Sequence, residues 1–149
     1  MRIPRLIASF LAGGAATATH LALMGAKQAL GVLPQFQPYE DIQRSLLTAT
    51  GGSLPPGLAF LLSMVNGSLV LGFVFGRIYP ILPGQSWVGK GLFFGLCAWL
   101  ASGLIVFPAI GRGVFAWGVG LGAAPALLMA AMLAIYSLAM SFAWRALTD

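Results

Sequence analysis

The chain has 149 residues, of which 59% are hydrophobic and 7% charged, with a mean hydropathy of +0.92. Soluble domains carry roughly 25% charged residues, so a soluble globular domain is excluded, and the length leaves room for four membrane spans of about 20–25 residues each. The net charge of +5 is spread one or two basic residues per predicted loop, which reads as topology signal and headgroup contact and not as a nucleic-acid surface.

The first span is predicted over 6–30. Arg2, Arg5, an apolar run and Ala16-Thr17-Ala18 have the outline of a secretory signal with an A-x-A site. The apolar run continues through Leu21–Leu30, however, so the segment is expected to remain as a span. Ala8, Ala12, Ala16 and Thr19 recur every three or four residues beside Gly13 and Gly14. Small residues at that spacing let a second helix backbone approach, which is what drives packing where lipid removes the hydrophobic difference. His20 lies near the middle and Lys27 at the far end, where its stem can reach the interface.

Gly31 and Pro34 stop this span, and Gly31–Pro56 is the one long polar stretch. Within it Pro38–Thr50 places Ile42, Leu46, Leu47 and Ala49 on one face, with Glu40, Asp41 and Arg44 largely opposite. Glu40 and Arg44 stand at i,i+4 in the favourable order, and acidic residues suit a first turn. The pattern predicts a short amphipathic helix lying in the membrane surface or capping the bundle, ended by Gly51-Gly52-Ser53 and Pro55-Pro56.

The second span is predicted over 57–78, with Ser63, Asn66, Gly67 and Ser68 in its middle, Gly72-x-x-x-Gly76 after them, and Arg77 and Tyr79 at the exit. Pro80 and Pro83-Gly84 turn the chain, and Trp87 is an interface anchor. The third span, 91–110, is opened by Lys90 and closed by Arg112, carries Gly91-x-x-x-Gly95, and is expected to loosen at Pro108. Its Cys97 is the only cysteine, so no internal disulfide forms. Gly118, Gly120 and Gly122 alternate as no helix requires, so Phe115–Gly122 is expected to be irregular. Pro125 suits a first turn and sets the fourth span at 123–146. The fold class is therefore all-α: one integral-membrane domain of four transmembrane helices in an antiparallel bundle, plus the amphipathic helix. A loop of about a dozen residues makes the second and third spans antiparallel neighbours. Gly72, Gly76, Gly91 and Gly95 then either meet one another or turn outward to a partner helix, and at least one pair is expected to face outward.

With both termini cytoplasmic, Arg2, Arg5, Arg77, Lys90 and Arg145 lie inside and Lys27, Arg44 and Arg112 outside, which favours N-in and C-in. At about 1.5 Å per residue, His20, Asn66, Ser102 and Tyr136 lie between about 15 and 21 Å from that face, in one slab near the midplane. Polar groups at that depth need partners and should face inward, either to form a small ligand or relay site or to hydrogen-bond between helices. One histidine, one cysteine and no carboxylate inside any span leave no catalytic residue, metal site or cofactor to expect.

The run KGLFFGLCAWLASGLIVFPAIGRGVFAWG, with Gly91, Gly95, Pro108, Gly111, Gly113 and Phe115, resembles the core of small bacterial four-span inner-membrane proteins of unknown function. NGSLVLGFVFGRIYP also fits, so the resemblance covers about Gly57–Asp149. Relatives often place a histidine in the second and fourth spans, where this chain has Val65-Asn66 and Tyr136-Ser137. The resemblance implies a multi-pass inner-membrane bundle and no assigned activity. From size, sparse chemistry and small-residue faces, the expected role is a non-catalytic accessory subunit packed against a larger inner-membrane complex, with a respiratory complex as the candidate. The alternative is a small transporter or homo-oligomeric channel using the midplane polar residues. The expected partners are the lipid bilayer and either that complex or further copies of the chain, with no nucleic acid.

Overall fold

A computed structural model of the protein describes residues 3–149; Arg2, counted above in the charge asymmetry, lies outside them. Four helices are long and apolar enough to cross a membrane: α1 (Arg5–Ala29), α3 (Leu58–Ile81), α4 (Trp87–Ala109) and α5 (Ala124–Thr148). A shorter helix, α2 (Pro38–Thr50), lies between the first two. Pro38 supplies a preset φ at its first position and Gly51, at φ 76°, closes it in the left-handed region that glycine adopts without strain.

Backbone approach decides how the helices pack. Ala8, Ala12 and Ala16 are fully buried along one stripe of α1, with Ser9, Gly13 and Thr17 beside them. A Cβ on Gly13 would lie 2.9 Å from Gly72 Cα, so α1 and α3 meet at their backbones. The other side of the α1 stripe packs on α5, and α5 packs on α4. The helices therefore run side by side in the order α3, α1, α5, α4. Between α3 and α4 the contact is made by long side chains: Phe75 and Phe94 stack edge to face at 5.0 Å, and Lys90 Nζ sits 4.6 Å over the Tyr79 ring. These aromatics join Tyr136, Met140 and Trp144 in the main core.

Neither α3 nor α4 is regular throughout. Asn66–Leu71 of α3 and Ser102–Val106 of α4 are π-helical turns. The second comes just before Pro108, whose missing N–H and ring displace the ladder one turn upstream. Val114–Val119 forms a 3₁₀ segment in which Phe115 and Ala116 take positive φ (52° and 59°). Phe115 covers Gly103 and lies 4.5 Å from the Trp99 ring.

Three local expectations are corrected. Helix α4 starts at Trp87, one turn before 91, because the Ser86 hydroxyl accepts from Gly89 N–H (3.2 Å) and the Lys90 ammonium donates to the Tyr79 carbonyl (2.8 Å). The charge expected to stand just ahead of the span lies inside the helix, where it has a partner. Arg44 pairs with Asp41 at 3.6 Å and not with Glu40. Asp41, placed by periodicity on the polar face, is 5% exposed and ion-paired to Arg112 of the α4–α5 connection. Helix α2 is thereby drawn onto the end of the bundle away from the chain termini. Ser45 Oγ donates to the Ile110 carbonyl (3.3 Å), and Gln43 Oε1 accepts from Ala59 N–H (2.8 Å).

Candidate functional site

Residues from α1, α2, α3 and α5 converge beneath α2. Thr17 and His20 stand one turn apart on α1 and face the same side. Tyr136 reaches from α5 and its hydroxyl donates to the Gly67 carbonyl of α3 at 2.6 Å. Gly67 belongs to the π-helical turn, where the regular i→i−4 ladder is interrupted and a carbonyl is open to an outside donor. Gly67 must lack a side chain, since a Cβ there would lie 2.9 Å from Thr17 Oγ1 and 3.5 Å from the Tyr136 hydroxyl. The His20 ring stacks edge-on to Tyr136 at 6.2 Å and to Tyr39 of α2 at 6.4 Å, and Tyr39 in turn packs edge-on against Phe60 at 5.5 Å.

Together with Ser63 and Asn66 these groups line a cleft of about 90 Å³, room for several waters or a solute of a few heavy atoms. The residues lining it include no carboxylate, lysine or arginine. Two polar atoms of the lining residues are buried: His20 Nδ1, which has no hydrogen-bond partner, and Thr17 Oγ1, which has only the Tyr136 hydroxyl beside it. Such groups cost free energy unless something pairs with them. Burial against the bundle pushes the Tyr39 phenol up to about 12, so it remains a neutral donor at the mouth of the cleft. Toward the chain termini the space is filled by Phe75, Phe94, Met140 and Trp144. Among the described residues no three His, Cys, Asp or Glu side chains group together, and the chemistry the cleft offers is that of hydroxyl, amide and imidazole.

Of the four midplane residues read from the sequence, His20, Asn66 and Tyr136 line this cleft and Ser102 does not. Ser102 opens the π-helical turn of α4, the one long helix that contributes nothing to the lining. Thr17, Gly67 and Tyr39 were not singled out as site residues. Thr17 could have been found from its i,i+3 relation to His20; the other two depend on tertiary contact alone. The glycine pairs also part company. Gly72 and Gly76 face α1, where a Cβ on Gly72 would lie 2.6 Å from the Ser9 carbonyl oxygen and one on Gly76 would meet Ser9 and, at 2.8 Å, the Trp144 ring. Gly91 and Gly95 face α5, 3.0 Å from the Ser137 carbonyl and 3.2 Å from the Leu133 carbonyl by the same measure. The expectation that one pair faces outward is corrected: all four are contacts within the chain, because α1 and α5 occupy the positions a partner helix would take.

The chain matches, over residues 3–148, the family model described as a family of unknown function, DUF6789. It belongs to that family. The match takes in α1 and α2, so DUF6789 covers the whole cleft, whereas the resemblance read from the sequence began only near Gly57. Neither a curated protein nor a solved structure matches the chain.

Proposed function

We propose that this protein binds a small, neutral, hydrogen-bonding solute in the cleft around His20 and passes it through the membrane. The observation that carries the reading is His20 Nδ1, buried with no hydrogen-bond partner on a residue that lines one cleft with Thr17, Asn66 and Tyr39. A charged solute does not suit the cleft, since an ion there would be desolvated with no countercharge among the lining residues. Helix α2 covers the cleft through Tyr39 and the aromatic core fills the space at the other end, so passage of a solute requires each barrier to open in turn. We place the protein in a bacterial inner membrane with both termini cytoplasmic, on the excess of Arg5, Arg77, Lys90 and Arg145 at one end over Lys27, Arg44 and Arg112 at the other. The cleft then faces the periplasmic half.

The test is solute flux. Purified protein in proteoliposomes is exposed to gradients of urea, glycerol and acetamide, and vesicle volume is followed by stopped-flow light scattering. Uptake of at least one solute above that of empty vesicles is expected, with loss in His20→Ala and Thr17→Val and no change in Ser102→Ala. Equal rates with and without protein, for protein that elutes as a folded species, would sink the reading.

Attachment to a larger membrane complex stands as a second proposal, supported by Asn66, an exposed residue at mid-span depth on the rim of the cleft, where a polar group beside hydrocarbon gains from a partner. Stoichiometric copurification after mild extraction, abolished by Asn66→Leu, is its expected sign.

A further inference from the structure

A second cleft, of about 560 Å³, opens at the end of the bundle that carries the chain termini, and it holds two cations. Arg5 lies at the first turn of α1 and Lys90 in the first turn of α4. Neither helix has an acidic residue in its first turn. Positive side chains at positive helix ends repel the peptide dipoles, so both residues stand where a carboxylate is usual. Among the described residues neither takes part in an ion pair, and the carboxylate that lines this cleft, Asp149, is already paired with Arg145 at 2.9 Å.

Lys90 is also held in place. A lysine at a membrane interface normally extends its stem toward water; this one folds back so that Nζ donates to the Tyr79 carbonyl at 2.8 Å and lies 4.6 Å over the Tyr79 ring. Its two remaining N–H groups are thereby oriented in advance, which lowers the entropic cost of binding an anion. Much of the rest of the wall is apolar, formed by Ile3, Pro4, Pro80 and the edge of the Trp144 indole, with Thr148 and the Arg145-paired Asp149 on one side. A free ion in water makes no use of that half of the surface. An amphipathic anion seated at the membrane boundary uses both halves.

We propose that this cleft is a binding site for the phosphate headgroup of an anionic phospholipid, with Arg5 and Lys90 on the phosphate and the glycerol and upper acyl chain against Trp144 and Ile3. Under the orientation proposed above the lipid comes from the cytoplasmic leaflet. The site is separate from the His20 cleft and stands whether or not that cleft carries a solute.

The experiment is thermal unfolding of the full chain in a neutral detergent, with phosphatidylglycerol, phosphatidylcholine or inorganic phosphate added. Phosphatidylglycerol at about a hundredfold its Kd is expected to raise the Tm by about 5 °C, phosphatidylcholine and phosphate by much less. Arg5→Gln, at an exposed position with no structural hydrogen bond from its side chain among the described residues, should remove at least half of the shift, and Lys90→Gln most of it. If Lys90→Gln does not fold, Arg5→Gln decides alone. Equal shifts from the two lipids, a full shift from inorganic phosphate alone, or an undiminished shift in Arg5→Gln would each overturn the proposal.

Discussion

A Cβ placed on Gly72 would lie 2.6 Å from the Ser9 carbonyl oxygen and 3.0 Å from Gly13 Cα, whereas one on Gly14 would meet nothing within 4 Å. Both are glycines of membrane helices, and hydropathy does not distinguish them. Gly72→Ala is expected to lower stability by about 1–3 kcal/mol, the usual cost of overpacking, and Gly14→Ala to leave it unchanged or raise it slightly. Melting in detergent would decide, and equal behaviour of the two variants would mean that α1 and α3 are not held at backbone contact. Tyr136 is a different kind of contact. Tyr136→Phe removes the hydroxyl from the Gly67 carbonyl and is expected to cost about 0.6 kcal/mol, up to about 1.7, the range found for hydrogen bonds between membrane helices. The same change leaves Gly67 as an additional unpaired acceptor facing the cleft, so solute flux should change by more than stability does.

Helix α2 behaves as a cap because its one buried charge is tied to another element. Asp41 is buried and Arg112 is not fully so, which makes the two halves of the ion pair unequal. Arg112→Gln strands a buried carboxylate with only the 3.6 Å contact to Arg44, while Asp41→Asn leaves an arginine that can turn to water. Arg112→Gln should therefore loosen α2 more than Asp41→Asn. Single-cysteine labelling across Tyr39–Thr50 reads this directly. In the intact protein Glu40, Arg44 and Thr48 should label fastest and Asp41 slowest, following their exposure; in Arg112→Gln the pattern should flatten. Persistence of the pattern would show that α2 is held by its apolar face alone. High pH provides an independent handle. The Tyr39 phenol titrates near 12 when docked and near 10 when free, so the unfolded form gains ionisation first, and docking loses stability as pH rises from about 10 to about 12. Ultraviolet titration of Tyr39→Phe should lack the phenol that ionises near 12 in the parent protein; loss of a phenol ionising near 10 instead would mean that Tyr39 is already in water.

Over the whole molecule, the side-by-side order α3, α1, α5, α4 leaves α3 and α4 joined through Phe75, Phe94, Tyr79 and Lys90 at one end. It is this separation that admits a polar cleft at the other end, between α1, α3 and α5. The two clefts sit at opposite ends of the bundle, one uncharged and one cationic, and a bundle with four spans returns both termini to one side. A reporter fused after Asp149 is expected to be active in the cytoplasm and silent outside; the reverse result would exchange the faces assigned to both clefts.

The sequence by itself determined which segments cross the membrane, to within about four residues at each end, and the helix over Pro38–Thr50 between Pro38 and Gly51. Hydropathy, proline and glycine act locally, and the depth of a residue follows from the rise per residue, so His20, Asn66 and Tyr136 could be set at one level from the chain alone. Only the tertiary structure decided what those residues face. Direction around a helix advances by about 100° per residue, and each π-helical turn inserts one extra residue and re-phases everything beyond it. Asn66–Leu71 and Ser102–Val106 both do so, and no hydropathy pattern in this chain announces either. For the same reason the partners of Gly72 and Gly91 were out of reach: whether a small-residue face meets its own chain or another depends on which helix arrives there, and α1 and α5 come from the two ends of the sequence. Asp41 turned inward because Arg112, seventy-one residues away, was waiting for it. That pairing is set by the folded chain, and it is what draws α2 over His20.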